Sequence, residues 1–190
     1  TEVSKEASDV ILTDDNFASI VDAIEEGRTV FVNIRRTSLY LITTNLAEDA
    51  ILVFAIIVGF PLPLLPLQIL WLNLITDGIS DISLATELPH KTALERPPRK
   101  VTDGILSREN FKFIGSISIV MFVLSIATFA IFLERKGIEE ARTAAFLVMA
   151  FTQLFNTFNM RSLNQGIFSL GFLTNKYVIA NFFFSSLLLV

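Results

Sequence analysis

Apolar positions in this chain gather into long runs separated by polar stretches. The runs predict membrane-spanning helices at about 38–60, 67–84, 113–133 and 143–160, and an incomplete one at 177–190. A helix needs about 20 mainly apolar residues to cross a bilayer. The segment ahead of the runs is patterned differently. Asp9-Val10-Ile11-Leu12-Thr13 predicts a short buried strand. Asp14-Asp15-Asn16, followed by Phe17, Ile20, Val21 and Ile24 at helical spacing, predicts a helix that Gly27 breaks. The fold class is therefore mostly α: a polytopic transmembrane helix bundle with a short α/β remnant of a soluble domain at the N-terminus. Residues 1–27 form the soluble piece, and 28–190 form a stalk and the membrane domain. The chain starts at Thr1 and ends within an apolar run, which predicts a piece of a longer protein.

Polar residues inside the apolar runs carry the chemistry. Trp71-Leu72-Asn73-Leu74-Ile75-Thr76-Asp77-Gly78 puts an amide, a hydroxyl and a carboxylate where carboxylates are expensive and usually functional. Asn73, Thr76 and Asp77 share one face of a helix, and Gly78 is where that helix can loosen and free its carbonyls. Oxygen ligands of this kind suit a hard cation such as Na⁺, K⁺ or Ca²⁺. The competing reading is a polar contact that glues two helices. Asn45, Glu48 and Asp49 lie beside Thr44 in the preceding span, and Asp81 lies one turn beyond Asp77. Packed together, the two spans would form an oxygen cage near the midplane. Gln153, Asn156 and Thr157 share a face of a later span, either lining a pathway or bonding between helices.

Pro61, Pro63 and Pro66 predict a tight hairpin on the far side of the membrane. Arg28, Arg35 and Arg36 precede the first span, and the loop around 87–112 is rich in Lys and Arg, so both should be cytoplasmic. Phe113 to Leu133 is an apolar span whose Gly115, Ser116, Ser118 and Ser125 permit close packing. Glu134 to Arg142 reads as a short outer loop.

Composition narrows the class. The chain is 52% apolar, with a mean hydropathy of +0.60, which fits a membrane protein. It has no cysteine, which excludes disulfides and thiolate metal sites. Its single histidine, His90, lies in a charged loop. A net charge of −4 argues against nucleic acid as a partner.

Several stretches together resemble the C-terminal half of a type II P-type ATPase, most closely a calcium-pump-like member. They are Asp14-Asp15-Asn16-Phe17 with Glu25-Glu26-Gly27-Arg28, Thr44-Asn45-Leu46-Ala47-Glu48, Gln68 to Gly78 (QILWLNLITDG), Glu95-Arg96-Pro97-Pro98-Arg99, and the weaker Gln153-Leu154-Phe155-Asn156. The resemblance implies that 1–27 ends a phosphorylation domain, that the stalk starts at Arg28, and that the spans are helices five to eight and part of nine. It implies cation ligands at Asn45, Glu48, Asn73, Thr76 and Asp77, with Asp49, Asp81 and Gln153 as additional candidates. Arg96 and Arg99 fall in the loop that couples membrane and phosphorylation domains. In such pumps, ATP with Mg²⁺ phosphorylates an aspartate, and alternating access follows; neither that aspartate's motif nor a nucleotide site occurs in these residues. The partners implied are the lipid bilayer, the transported cation and the N-terminal half of the same pump, in the plasma membrane of a prokaryote.

The sequence departs from that pattern in two ways. Gln153 stands where two-site intracellular calcium pumps have an acid, which resembles the one-site plasma-membrane pumps. Asp49 and Asp81 are acids where the calcium pumps have apolar or small residues. Three functions follow: a Ca²⁺ pump with a single high-affinity site, a proton-coupled Na⁺ or K⁺ pump, or a non-enzymatic channel or assembly module.

Overall fold

The computed structural model describes residues 2–9, 11–13, 16–87, 97, 104–106, 108–162, 171 and 174–189. Helices α1 (Glu2–Glu6), α2 (Phe17–Val58), α3 (Pro66–Trp71), α4 (Gly78–Ala85), α5 (Arg108–Arg135), α6 (Ile138–Met160) and α7 (Lys176–Leu189) account for most of them. Residues Leu72–Asp77 join α3 to α4 as a π-helical turn. No strand occurs among the described residues. The expected strand at 9–13 is irregular chain where it is described, and Ile11 is half exposed. A single strand has no ladder of its own to satisfy, and these residues supply no second one.

Helix α2 dominates the architecture. Asn16 caps it, its side chain accepting from the Ala18 N–H at 3.0 Å. It then runs unbroken for 42 residues. Gly27 does not end it, because one helical glycine costs only about 1 kcal/mol relative to alanine, and good helix formers flank it. At 1.5 Å per residue α2 is about 63 Å long, roughly twice a bilayer's hydrocarbon core. Its first turns are largely exposed, and continuous packing begins near Thr29 and Asn33. The helix ends at Gly59, whose left-handed φ of 77° lets its N–H reach back to the carbonyls of Ala55 and Ile56.

The proline-rich hairpin forms as expected. Leu64 plugs it into the core at 1% exposure. Arg142 Nε of α6 donates to the Leu62 carbonyl at 3.0 Å, and the Gln68 side chain accepts from the Leu65 N–H at 2.9 Å. The turn between α5 and α6 is shorter than Glu134 to Arg142. Only Lys136 and Gly137 separate the helices, and Glu139 and Glu140 sit in the first turn of α6, where acids favour a helix N-terminus.

Helices α2, α5 and α6 pack round the π turn. Ala47, Ile51, Leu64, Leu72, Met121, Met149 and Ala150 form the largest apolar cluster. The distribution is otherwise inverted relative to a soluble bundle. Large apolar side chains such as Ile57 (77% exposed), Leu67 (75%) and Leu74 (65%) point outward, while Thr44, Asp77, Ser80 and Gln153 are fully buried. A lipid-solvated bundle has this arrangement, because its apolar surface needs no burial and its polar groups need partners. By length and composition, Phe17–Val58 and Asn110–Arg135 can each cross a membrane.

Candidate ion-binding site

The buried face of α2 reads Tyr40, Thr43, Thr44, Ala47, Glu48, Ile51 and Ala55, a repeat of three and four. Ala47 keeps the face low, and Ser118 of α5 donates to the Thr43 carbonyl at 2.8 Å, which seats α5 on α2. This face aims Tyr40, Thr44 and Glu48 at the interrupted helix.

The interruption lies before Gly78, at Leu72–Asp77, and Gly78 itself is helical at φ −60°. Bonds reaching one residue further than in an α-helix widen this turn; such turns recur at functional sites. The wider turn buries Thr76 and Asp77 completely. Asp77 then lies against α2. Its Oδ1 accepts from the Tyr40 hydroxyl at 3.0 Å, and its Oδ2 accepts from Thr44 Oγ1 at 2.8 Å.

Glu48 forms the second half of the cluster. Its Oε1 accepts from Gln153 Nε2 of α6 at 2.6 Å, and its Oε2 accepts from Asn73 Nδ2 at 3.5 Å. Three helical segments far apart in sequence therefore converge on two carboxylates. Among the described residues neither carboxylate has a Lys or Arg partner. Several oxygens are also open: Thr76 Oγ1, Gln153 Oε1, Asn156 Oδ1 and Asp81 Oδ1 are buried without a hydrogen-bond partner. Buried polar atoms without partners are costly. Uncompensated negative charge beside unused oxygens is the donor set a hard cation takes.

Not every candidate joins the cluster. Asn45 is exposed and its amide donates to the Leu41 carbonyl of its own helix at 2.8 Å. Asp49 is exposed on the same face of α2. Asp81 is half buried. Arg96 and Arg99 lie outside the described residues. Among the described residues no three His, Cys, Asp or Glu converge as a metal group; the carboxylates here are a pair completed by amides and hydroxyls.

Two sets of residues stand out only in three dimensions. Tyr40 looks like a core aromatic in sequence, with no spacing signal to single out its hydroxyl. Ser80 accepts from Thr157 Oγ1 at 3.1 Å and Asn181 Nδ2 at 2.9 Å, and Ser185 Oγ donates to Asn181 Oδ1 at 2.9 Å. That chain extends the polar interior from α4 to α7.

The family described as "Cation transporting ATPase, C-terminus" matches residues 61–190. "Calcium-transporting ATPase 1" of Bacillus cereus is 38% identical over 195 residues, covering 94% of this chain and 22% of the relative. "Calcium-transporting ATPase" of Bacillus subtilis is 37% identical over 192 residues, covering 100% of this chain and 22% of the relative. "Calcium-transporting ATPase type 2C member 2" of Rattus norvegicus is 37% identical over 183 residues, covering 93% and 19%. The chain thus spans about a fifth of the length of the curated relatives it matches.

Proposed function

The chain belongs to the cation-transporting P-type ATPases, and on that premise we propose that its mid-bundle cluster binds the transported cation, Ca²⁺, at a single high-affinity site. The observation that carries this reading is the pair Glu48 and Asp77, brought from separate helices to one buried place with open oxygens beside them and, among the described residues, no Lys or Arg partner. The relatives' printed names favour Ca²⁺ as the ion. Asp77, Glu48, Thr76 and Asn73 act as ligands, with Gln153 supplying its free amide oxygen. Asn45 completes the shell after its side chain turns from its own helix.

In this reading, 1–27 ends the phosphorylation domain, and the stalk continues from Arg28 without a break in α2. ATP and Mg²⁺ act at residues of the whole protein beyond these. Phosphorylation of an aspartate there drives alternating access, and Arg96 and Arg99 couple it to the membrane helices. The stalk end faces the cytoplasm, and the membrane is the plasma membrane of a prokaryote. The lipid bilayer and the remaining pump helices cover the exposed faces.

The test is ATP hydrolysis by the full-length protein in detergent, titrated separately with Ca²⁺, Na⁺, K⁺ and pH. Activation by micromolar Ca²⁺ is expected. Activation by Na⁺ or K⁺ alone would transfer the assignment to the proton-coupled monovalent pump, the reading that Asp49 and the half-buried Asp81, with its unpartnered Oδ1, favour.

A further inference from the structure

A second buried polar cluster lies at the stalk end, one helix-length from the ion site. Just past the end of α4, Glu87 is 6% exposed and Arg161, the residue after α6, is 1% exposed. Arg161 donates to both carboxylate oxygens of Glu87, from Nε at 3.0 Å and Nη2 at 2.9 Å. It also donates to the Gly171 carbonyl at 3.2 Å and to Thr174 Oγ1 at 2.6 Å. Asn175 Nδ2 donates to Glu87 Oε2 at 2.6 Å. The Asn175 Oδ1 accepts from the N–H groups of Tyr177 and Val178, capping α7. One carboxylate therefore joins the ends of α4, α6 and α7.

Among the described residues, Asn33 of the stalk hydrogen-bonds directly into this cluster. Asn33 of α2, 6% exposed, donates its amide to the backbone carbonyls of Ala85 at 3.0 Å and Glu87 at 2.9 Å. Its Oδ1 accepts from Arg36 Nη1 at 2.7 Å. Asn33 shares a rigid helix with Glu48, about 22 Å along at 1.5 Å per residue. The carbonyls it holds end the helix that begins beside Asp77. Helical rods that are pinned together at one end displace together.

We propose that Asn33 and Glu87 are positioning residues that clamp the stalk to the end of the ion-binding helix, so that Glu48 and Asp77 move as one body when the stalk moves. The proposal rests on the pump reading above. Glu87, held by Arg161 and Asn175, fixes where the two carbonyls point, and Asn33 reads that position. Replacing Asn33 removes these two hydrogen bonds and leaves the Glu87–Arg161 pair intact.

The test uses the full-length protein in sealed vesicles, with ATP hydrolysis and Ca²⁺ uptake followed together. Asn33→Ala is expected to retain Ca²⁺-dependent hydrolysis while Ca²⁺ moved per ATP falls by about fivefold or more, a typical size for a lost coupling between sites. An unchanged ratio overturns the clamp. Absence of Ca²⁺-dependent hydrolysis in the unsubstituted protein overturns the pump reading and the clamp with it. A second variant covers misfolding of the first: Asn33→Cys with Ala85→Cys, on a background otherwise free of cysteine. Reduced, this variant is expected to lose coupling as Asn33→Ala does, and cross-linking the pair is expected to restore Ca²⁺ moved per ATP if the two elements move as one body. Loss of turnover on oxidation, restored by reduction, contradicts it.

Discussion

Two buried polar clusters in one bundle are built on opposite principles. At the stalk end, the Glu87 carboxylate meets a guanidinium and an amide, and each oxygen is spoken for. At mid-bundle, among the described residues, Glu48 and Asp77 meet only amides and hydroxyls, and Thr76, Gln153 and Asn156 leave polar atoms unused. Burial is similar in both, so burial does not tell them apart. The balance of donors, acceptors and charge does. A closed network fixes helices in place; an open one with surplus negative charge is completed by a cation.

That contrast predicts different consequences for similar substitutions. The largest effect is expected from Asp77→Asn, which removes half of the site's charge. Ca²⁺-dependent phosphorylation of the full-length protein should disappear while the protein still folds; an intact Ca²⁺ response would break the comparison. Arg161→Ala should do the reverse. It leaves Glu87 buried without its partner, a loss of about 3–5 kcal/mol. Thermal inactivation should show a lower midpoint before any change in ion affinity. Thr76→Val sharpens the contrast, because the hydroxyl it removes has no protein partner. Ca²⁺ affinity should fall about tenfold, with thermal stability unchanged or raised, since an unsatisfied buried polar group costs about 1–3 kcal/mol.

The smallest effect concerns pH. Burial pushes the Glu87 carboxyl up, but hydrogen bonds from Arg161 and Asn175, with the charges of Arg161 and Arg36, outweigh it and hold the group below its ordinary value. A carboxylate held low stabilises the fold above its unfolded value, and that contribution is lost as pH falls through the folded one. Stability measured from neutral pH down into the acid range should therefore decline more steeply in the unsubstituted protein than in Glu87→Gln. Equal slopes would mean that the pair carries no net charge coupling.

Much of this was legible in the residues. The apolar runs located α5, α6, the hairpin and the interrupted helix, because lipid-facing positions leave a strong composition signal. The carboxylates Glu48 and Asp77 stood out because acids inside such runs are rare. Asn16 marked the start of α2. What escaped depends on packing. Gly27 was read as a break, yet one glycine's cost is small in a 42-residue helix. Helical spacing placed Asn45 and Asn73 with their neighbouring acids, but spacing cannot see a π turn or a side chain folded onto its own backbone, as Asn45 is. Tyr40, Asn33 and the Glu87–Arg161 pair had no local signature, since their partners lie 37, 54 and 74 residues away.

The open mid-bundle cluster is proposed to hold the cation. Equilibrium binding of radiolabelled Ca²⁺ to the full-length protein, without ATP, tests it most directly, comparing the unsubstituted protein with Asp77→Asn and Arg161→Lys. Saturable micromolar binding is expected, abolished in Asp77→Asn and retained in Arg161→Lys. Undiminished binding in Asp77→Asn would contradict it.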